Sequence, residues 1–264
     1  MKLTNENYYS AEANWRYMSV SQYKDFMKCE AAAMAKLRGE YVEPKSTALL
    51  VGSYVDSYFE GTLDRFKAEN PEIFKRDGTL KNDYIQSETI IRKVESSPVF
   101  MKYMSGKKQV IRTAKLFETL WKIKIDSLLP DKIVDLKVMR STERIMGRSF
   151  IEYWGYDLQM AVYSEIERKA RRAKKEKETY LAVATKQEPP DIEIYHVNRF
   201  NREECLDAVK KHMPHILAVK GGNIEPERCG LCPYCRKTKI LTEPIDSDLA
   251  GFSNYEIKAM KGMI

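Results

Sequence analysis

The order of apolar and polar positions predicts helices towards both ends of the chain and strands in its middle. Ser19 or Ser21 is expected to cap a helix that continues through an alanine-rich stretch to Leu37, near Gly39. Further helices are predicted over 46–60, 153–177 and 202–219, with broken helical structure over 62–105, and strands over 109–117, 119–127, 132–139, 179–186 and 192–198. This order predicts an α/β (α+β) fold in which helices flank a central mixed β-sheet.

The domain organisation is predicted from length and composition. With 264 residues, 43% of them hydrophobic, the chain is long enough to bury one large core. We expect an N-terminal helical segment over 1–45, a central core over 46–200, and a C-terminal segment over 201–264 with a helix, a cysteine cluster and a polar tail. The three segments are expected to form one compact domain.

Two of the predicted strands, joined by a turn that contains proline, carry two acids and a lysine. Side chains alternate along a strand, so Asp135 and Lys137 are expected on the same face. If Leu128 pairs with Ile133, then Asp126 falls opposite Asp135. Like charges in opposed positions destabilise a sheet, and a divalent cation with oxygen ligands is the simplest way to offset their repulsion. The pattern therefore predicts a metal site, with a surface hairpin of unrelated acids as the alternative.

The Asp…Asp-x-Lys arrangement resembles the active site of the PD-(D/E)xK nuclease superfamily. The resemblance implies a restriction-endonuclease-like core in which Asp126 and Asp135 hold Mg²⁺ or Mn²⁺ and Lys137 activates the attacking water or stabilises charge. The residue types suit this chemistry, because hard cations take oxygen ligands, lower the pKa of bound water and stabilise charge on a phosphoryl oxygen.

Two helical motifs extend the resemblance to RecB-like and RecE-like nucleases. Gly52, Asp56 and Glu60 are spaced four apart and share a helix face, as in the G-x-x-x-H-x-x-x-E signature, with aspartate in place of histidine. This implies that Asp56 is an additional metal ligand and that Glu60 supports the site. Gln159 and Tyr163 resemble the Q-x-x-x-Y motif, which lies beside the active site. The alternatives are a solvated acidic helix face and a core tyrosine with an unrelated glutamine.

Several charged residues near these motifs have weaker predicted roles. Glu118 lies eight residues before Asp126, where related nucleases carry acids, so the resemblance implies a supporting role. An unbroken strand would place Glu118, Lys122 and Lys124 on the side of Asp126, where the lysines either contact phosphate or are solvated. The basic run over 168–177 is predicted to be either a track for the DNA backbone or a solvated helix face.

The C-x-x-C-x-x-C run of Cys229, Cys232 and Cys235 predicts a metal or cluster site, because three thiols at this spacing converge around a tight turn. The layout resembles Cas4-like and AddB-like iron–sulphur nucleases, in which one cysteine precedes the nuclease core and three follow it. That resemblance implies Cys29 as the fourth ligand of a [4Fe–4S] cluster.

The cysteine run has two other interpretations. Zn²⁺ is an alternative to the cluster, with Cys29, His212 or His215 as the fourth ligand. Reduced cysteines in an exposed turn without a metal are the third. Cys205 lies in a predicted helix and is expected to be a packed thiol.

Charge and the absence of targeting signals complete the functional prediction. A formal net charge of +7 suits a polyanionic partner. The first residues contain no apolar core, and no apolar run approaches the ~20 residues that span a bilayer, so we expect a cytoplasmic protein of a bacterium or phage-infected cell without a membrane partner.

The resemblance implies a metal-dependent exonuclease that hydrolyses phosphodiester bonds at duplex DNA ends in phage-type or prophage-type recombination. Its implied partners are DNA, a single-strand annealing protein and further copies of the chain. An endonuclease or Cas4-like end-trimming enzyme is the first alternative. A non-catalytic DNA-binding protein on the same fold is the second.

Overall fold

The computed structural model describes residues 1–44, 46–242 and 244–262. Its α-helices are α1 (Ala11–Arg16), α2 (Val20–Lys28), α3 (Glu30–Leu37), α4 (Thr47–Glu60), α5 (Leu63–Glu69), α6 (Asn82–Glu95), α7 (Pro98–Tyr103), α8 (Phe150–Tyr153), α9 (Tyr156–Ala170), α10 (Arg199–Lys220), α11 (Pro233–Lys237) and α12 (Asn254–Met260). Short 3₁₀ helices lie at Pro71–Ile73 and Ser247–Leu249. Within these described ranges, no helix has both the length and the apolar character that a membrane crossing requires.

The strands form a two-stranded antiparallel hairpin and a four-stranded mixed sheet. They are β1 (Val110–Leu116), β2 (Thr119–Ile125), β3 (Ser127–Leu128), β4 (Lys132–Met139), β5 (Glu178–Thr185) and β6 (Ile192–His196). The mixed sheet has the order β3-β4-β5-β6, in which β4 and β5 are parallel and the other pairs are antiparallel. The connection from β4 to β5 passes through α9, as a parallel pair requires a crossover. The predicted α/β class with a mixed sheet flanked by helices is therefore confirmed.

The two faces of the mixed sheet bury different apolar clusters because side chains alternate along each strand. Val134 and Leu136 of β4 face a core to which α4 and α6 contribute. Met139 of β4 faces the opposite core, which contains Met160 of α9 and Phe150 of α8. The face that carries Asp135 and Lys137 is thus the one that α9 covers.

The chain divides into two compact units. One unit is Pro44–Asp207, which contains both sheets and α4 to α9. The other is Met1–Glu43 together with the described residues from Ala208 onward, and it contains α1 to α3, α11 and α12. The predicted segment boundaries near 45 and 200 and the single compact domain stay predictions.

Two predicted helices are interrupted. The helix expected from Ser19 to Leu37 is capped by Ser19 but breaks at Cys29, whose backbone is extended (φ −170°, ψ 107°). The helix expected over 153–177 breaks at Gly155, which has a left-handed conformation, and ends at Ala170. Neither break contains proline, and the alanine-rich stretch after Cys29 favours continuous helix, so local propensity alone did not indicate the first interruption.

Candidate active site and cysteine centre

Asp135, the acid of the predicted Asp-x-Lys pair, is only 2% exposed. It lies on β4, and Gln159 from the covering helix α9 donates Nε2–H to its Oδ1 at 2.7 Å. The ammonium of Lys137, two residues along the strand, forms an ion pair with Oδ2 of Asp135. The predicted common face of Asp135 and Lys137 is confirmed, and Gln159 reaches the same carboxylate.

Asp126 lies between β2 and β3, beside the strand that carries Asp135. Leu128 pairs with Ile133, the register on which the predicted opposition of Asp126 and Asp135 depends, and the β3–β4 ladder ends one residue pair before Asp126. The N–H of Leu136 donates to Asp126 Oδ2 at 3.0 Å, and Gln109 Nε2 donates to Oδ1 at 3.2 Å. Two donors thus fix the orientation of this carboxylate beside β4.

Helix α4 adds two further acids to the site. Ser46 caps its N-terminus, and Gly61, in a left-handed conformation, ends it, as the sequence predicts. Asp56 and Glu60 lie one turn apart on this helix and border the same cavity as Asp126. The cavity is lined by Asp56, Phe59, Glu60, Met104, Lys108, Gln109, Asp126 and Leu136.

The three acids that line the cavity, Asp56, Glu60 and Asp126, have raised pKa values. Burial, reinforced by the charge of Asp135, raises the pKa of Asp126 to about 7. Burial and the charge of Asp126 raise the pKa of Asp56 well above its usual range. Burial also raises the pKa of Glu60. Lys137 responds in the opposite sense, since burial lowers its pKa but the charges of Asp135 and Asp126 outweigh that effect and raise it.

The donor set fits a hard divalent cation. Its ligand atoms are carboxylate oxygens whose repulsion a cation would relieve, and Gln109 adds a buried Oε1 that has no hydrogen-bond partner among the described residues. Across the described ranges, only the cysteines bring three or more candidate ligand atoms within 4.8 Å of one another. The carboxylate oxygens of the acids are therefore less closely grouped than the cysteine sulphurs.

Tyr156, rather than Tyr163, lies against the lysine of the site. The ammonium of Lys137 is 5.2 Å from the centre of the Tyr156 ring, within the range of a cation–π contact. Tyr163 packs in the apolar cluster with Met160 and Phe150. Tyr156 falls within the predicted helix over 153–177, but no pattern in the sequence indicates a role for it.

The predicted role of Glu118 depends on an unbroken strand, and the structure breaks that strand. Glu118 lies in the turn between β1 and β2 with φ 64°, its side chain is 86% exposed, and it forms an ion pair with Lys115 at 3.0 Å. Lys122 is 1% exposed, which excludes it from direct contact with phosphate, and burial lowers its pKa to about 8. The unbroken strand on which this prediction depends therefore does not extend to Glu118, and Lys122 is neither solvated nor in contact with phosphate.

The basic run over 168–177 is largely engaged within the protein. Arg168 pairs with Glu165 at 2.8 Å, Arg171 pairs with Glu167 at 2.7 Å, and Lys177 donates to the carbonyl of Leu129 at 3.0 Å. Because α9 ends at Ala170, the run does not form one helix face. The DNA backbone track along this segment stays a prediction.

The second site is formed by four cysteines. The sulphurs of Cys29, Cys229, Cys232 and Cys235 all lie within 4.8 Å of one another, and none is in a disulfide. Cys29 Sγ is 3.6 Å from Cys235 Sγ, and Cys229 Sγ is 3.9 Å from Cys235 Sγ. Cys29 lies at the break between α2 and α3, where its extended backbone allows the thiol to approach the three C-terminal cysteines.

Hydrogen bonds and burial tune these thiols in opposite directions. Burial raises the pKa of Cys29 to about 12. Burial also acts on Cys229, but N–H donation from Cys232 and Leu231 outweighs it and lowers the pKa of Cys229 to about 7. A bound metal cation would stabilise all four cysteines as thiolates, because metal binding favours the deprotonated form of a thiol. The four-cysteine cluster therefore suggests a metal or iron–sulphur site.

The histidines considered as fourth ligands have other partners. His212 Nδ1 is 2.8 Å from the hydroxyl of Tyr23, and His215 Nε2 is 2.7 Å from Glu30 Oε1. Cys29 completes the set instead. Cys205 lies in α10, outside this group.

Comparison with known families identifies the class of protein. The family model described as a PDDEXK-like domain of unknown function (DUF3799) matches residues 19–238. The chain therefore belongs to this PDDEXK-like family. The chain is also similar to a solved structure described as a "putative exonuclease" from Eubacterium rectale, with 52% sequence identity and a TM-score of 0.91, over 95% of this chain and 99% of that chain.

The remaining comparisons add little. The solved structure described as SSO0001 has 13% identity and a TM-score of 0.33 over 85% of this chain and 95% of that chain, a likeness too weak to bear on fold or function. The curated proteins gave no match to the chain.

Proposed function

We propose that this protein is a metal-dependent deoxyribonuclease, and specifically an exonuclease that hydrolyses phosphodiester bonds at duplex DNA ends. The observation that supports it best is that Asp126, which lines the cavity, interacts electrostatically with Asp135 and its ion-pair partner Lys137, in a chain of the PDDEXK-like family. The choice of exonuclease rests on the description of the Eubacterium rectale relative. A role in phage-type or prophage-type recombination, with an annealing partner and assembly into a homo-oligomer, is the finer form of this proposal.

The acids of the site would act as the ligands of the divalent cation. Asp126 and Asp135 would hold Mg²⁺ or Mn²⁺, and Asp56 would complete the carboxylate set, with Glu60 at the edge of the same cavity. When bound, the cation would supply a water of lowered pKa and neutralise charge that develops on the phosphoryl group.

The other residues of the site would orient the metal ligands and the nucleophilic water and would stabilise charge on the phosphate. The ammonium of Lys137 donates hydrogen bonds only, so its role is to stabilise negative charge on the phosphate and to orient the nucleophilic water. Gln159 holds the carboxylate of Asp135 in a fixed orientation. The Tyr156 ring covers Lys137 and limits the positions that its ammonium can take.

The direct test is digestion of end-labelled linear duplex DNA alongside closed circular DNA. We expect loss of the linear substrate with Mg²⁺ or Mn²⁺, no loss in EDTA, and an intact circle in all three conditions, because an exonuclease needs an end. The position of the label that disappears first gives the polarity.

Two results would contradict the proposal and favour its alternatives. Cutting of the circle with the same metal dependence would identify an endonuclease. Binding of DNA without cleavage of either substrate would favour a non-catalytic DNA-binding protein.

A segment not singled out by the sequence offers a surface for DNA. Between β4 and α8, Ile145 and Arg148 exchange two backbone hydrogen bonds of 3.0 Å across a tip formed by Met146 and Gly147, both with positive φ. Arg140, Arg144 and Arg148 are exposed in this segment. It follows the strand that carries Lys137, so we propose that its arginines contact the phosphate backbone.

A variant with both Arg140→Gln and Arg148→Gln should bind duplex DNA more weakly at every sequence. The slope of log affinity against log salt concentration should fall in magnitude by about two, because each lost phosphate contact changes it by about one. Binding is measured by fluorescence anisotropy in EDTA at several salt concentrations. Arg168→Gln is the matched control, since that guanidinium pairs with Glu165. Equal slopes for the double variant and the wild type would exclude this surface.

For the second site, we propose that the four cysteines hold one tetrahedral ion, with Zn²⁺ the best fit. A tetrahedral site with zinc–sulphur bonds of ~2.3 Å separates its sulphurs by about 3.8 Å. The separations of 3.6 and 3.9 Å to Cys235 Sγ match this value. A four-iron cluster instead places each thiolate on a different iron, which requires wider separations.

A further inference from the structure

The segment that leads into β1 is fixed against β3 by a close backbone approach. A Cβ on Gly106 would lie 2.7 Å from the carbonyl carbon of Leu128, so only glycine fits there. The Gly106 N–H donates to Ser127 Oγ at 2.9 Å. Lys107 then exchanges two backbone hydrogen bonds of 2.9 Å with Leu128. These contacts anchor the chain immediately before Gln109.

Gln109 stands next to Asp126 by the register of the hairpin. The β1–β2 ladder ends with the pair Val110 and Ile125, which makes Gln109 and Asp126 the next opposed positions. Gln109 has φ 51°, in the left-handed region that non-glycine residues seldom adopt. Such backbone strain is concentrated at functional sites, where the surrounding structure maintains it.

The side chain of Gln109 has one satisfied end and one unsatisfied end. Its Nε2 donates to Asp126 Oδ1 at 3.2 Å, while its buried Oε1 has no hydrogen-bond partner within the described part of the chain. The opposite amide orientation would turn the carbonyl towards a carboxylate, so the chemistry assigns this one. Buried acceptors without a partner are rare, and each requires an explanation.

The cavity next to Gln109 provides that explanation. It is bordered by Asp56, Glu60 and Asp126, which are acceptors when ionised, and by Lys108, whose ammonium donates to the carbonyl of Met104. A positively charged group in this cavity would offset the repulsion among the ionised acids. A neutral carbonyl oxygen beside carboxylates is a normal ligand of a hard divalent cation.

We propose that Gln109 is a metal-site residue. Its Oε1 binds the divalent cation, directly or through one of the cation's waters, and its Nε2 orients Asp126 for the same ion. This inference rests on the proposed function, because it assumes that the acids hold a cation. It adds to that function a residue that none of the family motifs contains.

The test measures binding of Mn²⁺ alone to the full-length protein by isothermal titration calorimetry, without DNA. Gln109→Met keeps the length of the side chain but removes both polar atoms, and we expect it to weaken Mn²⁺ binding by about 10-fold to 100-fold, the usual effect of removing a group that supports a metal. Gln109→Glu, which restores an oxygen acceptor, should recover binding to within about threefold of the wild type. Mn²⁺ prefers carboxylate, carbonyl and water ligands, so the cysteine site does not compete for it.

Controls separate this inference from the proposed function. Gln86→Met replaces a glutamine that donates to the carbonyl of Lys186, away from the cavity, and should bind Mn²⁺ like the wild type. Asp126→Asn should lose most binding. If Asp126→Asn loses binding while Gln109→Met binds within twofold of the wild type, this inference is overturned and the metal site stands.

Two further results have defined meanings. If the wild type binds no Mn²⁺, or if Asp126→Asn changes nothing, both the metal site and this inference are overturned. If Gln109→Met does not fold by circular dichroism, Gln109→Asn replaces it. Gln109→Asn shortens the side chain by one methylene and so moves the carbonyl oxygen away from the cation. The same weakening of Mn²⁺ binding is expected.

Discussion

Asp135→Ala and Lys137→Ala are each expected to abolish cleavage of linear duplex DNA, with a loss of at least about 1000-fold, or on the order of 4 kcal/mol of transition-state stabilisation. Asp135→Ala would remove the carboxylate that Gln159 and Lys137 hold in place. Lys137→Ala would remove the side-chain ammonium that stabilises negative charge on the phosphate. The measurement is the initial rate of digestion with Mg²⁺, at protein concentrations high enough to detect residual activity.

The fold must be checked in the same variants, because Asp135 is buried, Lys137 is partly buried, and the loss of one partner leaves the other charge uncompensated. Asp135→Asn keeps the shape of the side chain and should also be inactive. Glu118→Gln changes an acid in the exposed β1–β2 turn and should keep full activity. Folded Asp135→Ala and Lys137→Ala proteins that both digest DNA at the wild-type rate would refute the assignment of the active site.

Cys232→Ser is expected to lose the bound ion and to lower the melting temperature by more than about 10 °C. Structural zinc sites contribute apparent binding free energies of about 10–16 kcal/mol in small domains, and that free energy becomes folding free energy. Here the site joins α3 to the segment that begins at Cys229, both within one unit. Differential scanning calorimetry gives the transition, and elemental analysis of the purified protein gives the metal content.

Cys205→Ser is the matched control, since Cys205 lies outside the cluster and its variant should keep both the ion and the melting temperature. We expect one zinc per chain in the wild type and in this control. Four irons with acid-labile sulphide would replace the proposed single ion with an iron–sulphur cluster. A wild-type protein without any metal would refute the site.

The hairpin could be predicted because two independent local signals agree there. Alternation fixes which side chains share a face, and the turn between β3 and β4 fixes the register, so the Leu128–Ile133 pair follows from the sequence. The helix Thr47–Glu60 was also predictable, since Ser46 and Gly61 are strong end signals. Asp56, Asp126, Asp135, Lys137 and Gln159 come together accordingly, while their roles in catalysis stay predictions.

The missed features depend on tertiary structure. The break at Cys29 occurs where helix propensity is high, and it is explained by contacts with residues about 200 positions later. The turn at Phe117 and Glu118 lies where the predicted strands 109–117 and 119–127 meet, but the positive φ of both residues was not foreseen, since neither asparagine nor glycine signals it. Gln109 could not be identified either, because its importance lies in an unpaired oxygen that only the folded structure reveals.

The unit that contains the cysteine centre is built from both ends of the sequence, and this sets an order for its assembly during translation. Cys29 and Cys229 are separated by 200 residues, which takes roughly 10–40 s to synthesise at ~5–20 residues per second. During that time Pro44–Asp207 can fold, while the helices around Cys29 wait without their partners. A ribosome stalled before residue 229 would therefore hold a nascent chain that contains Asp56, Asp126 and Asp135 but lacks three of the four thiols of the cysteine centre.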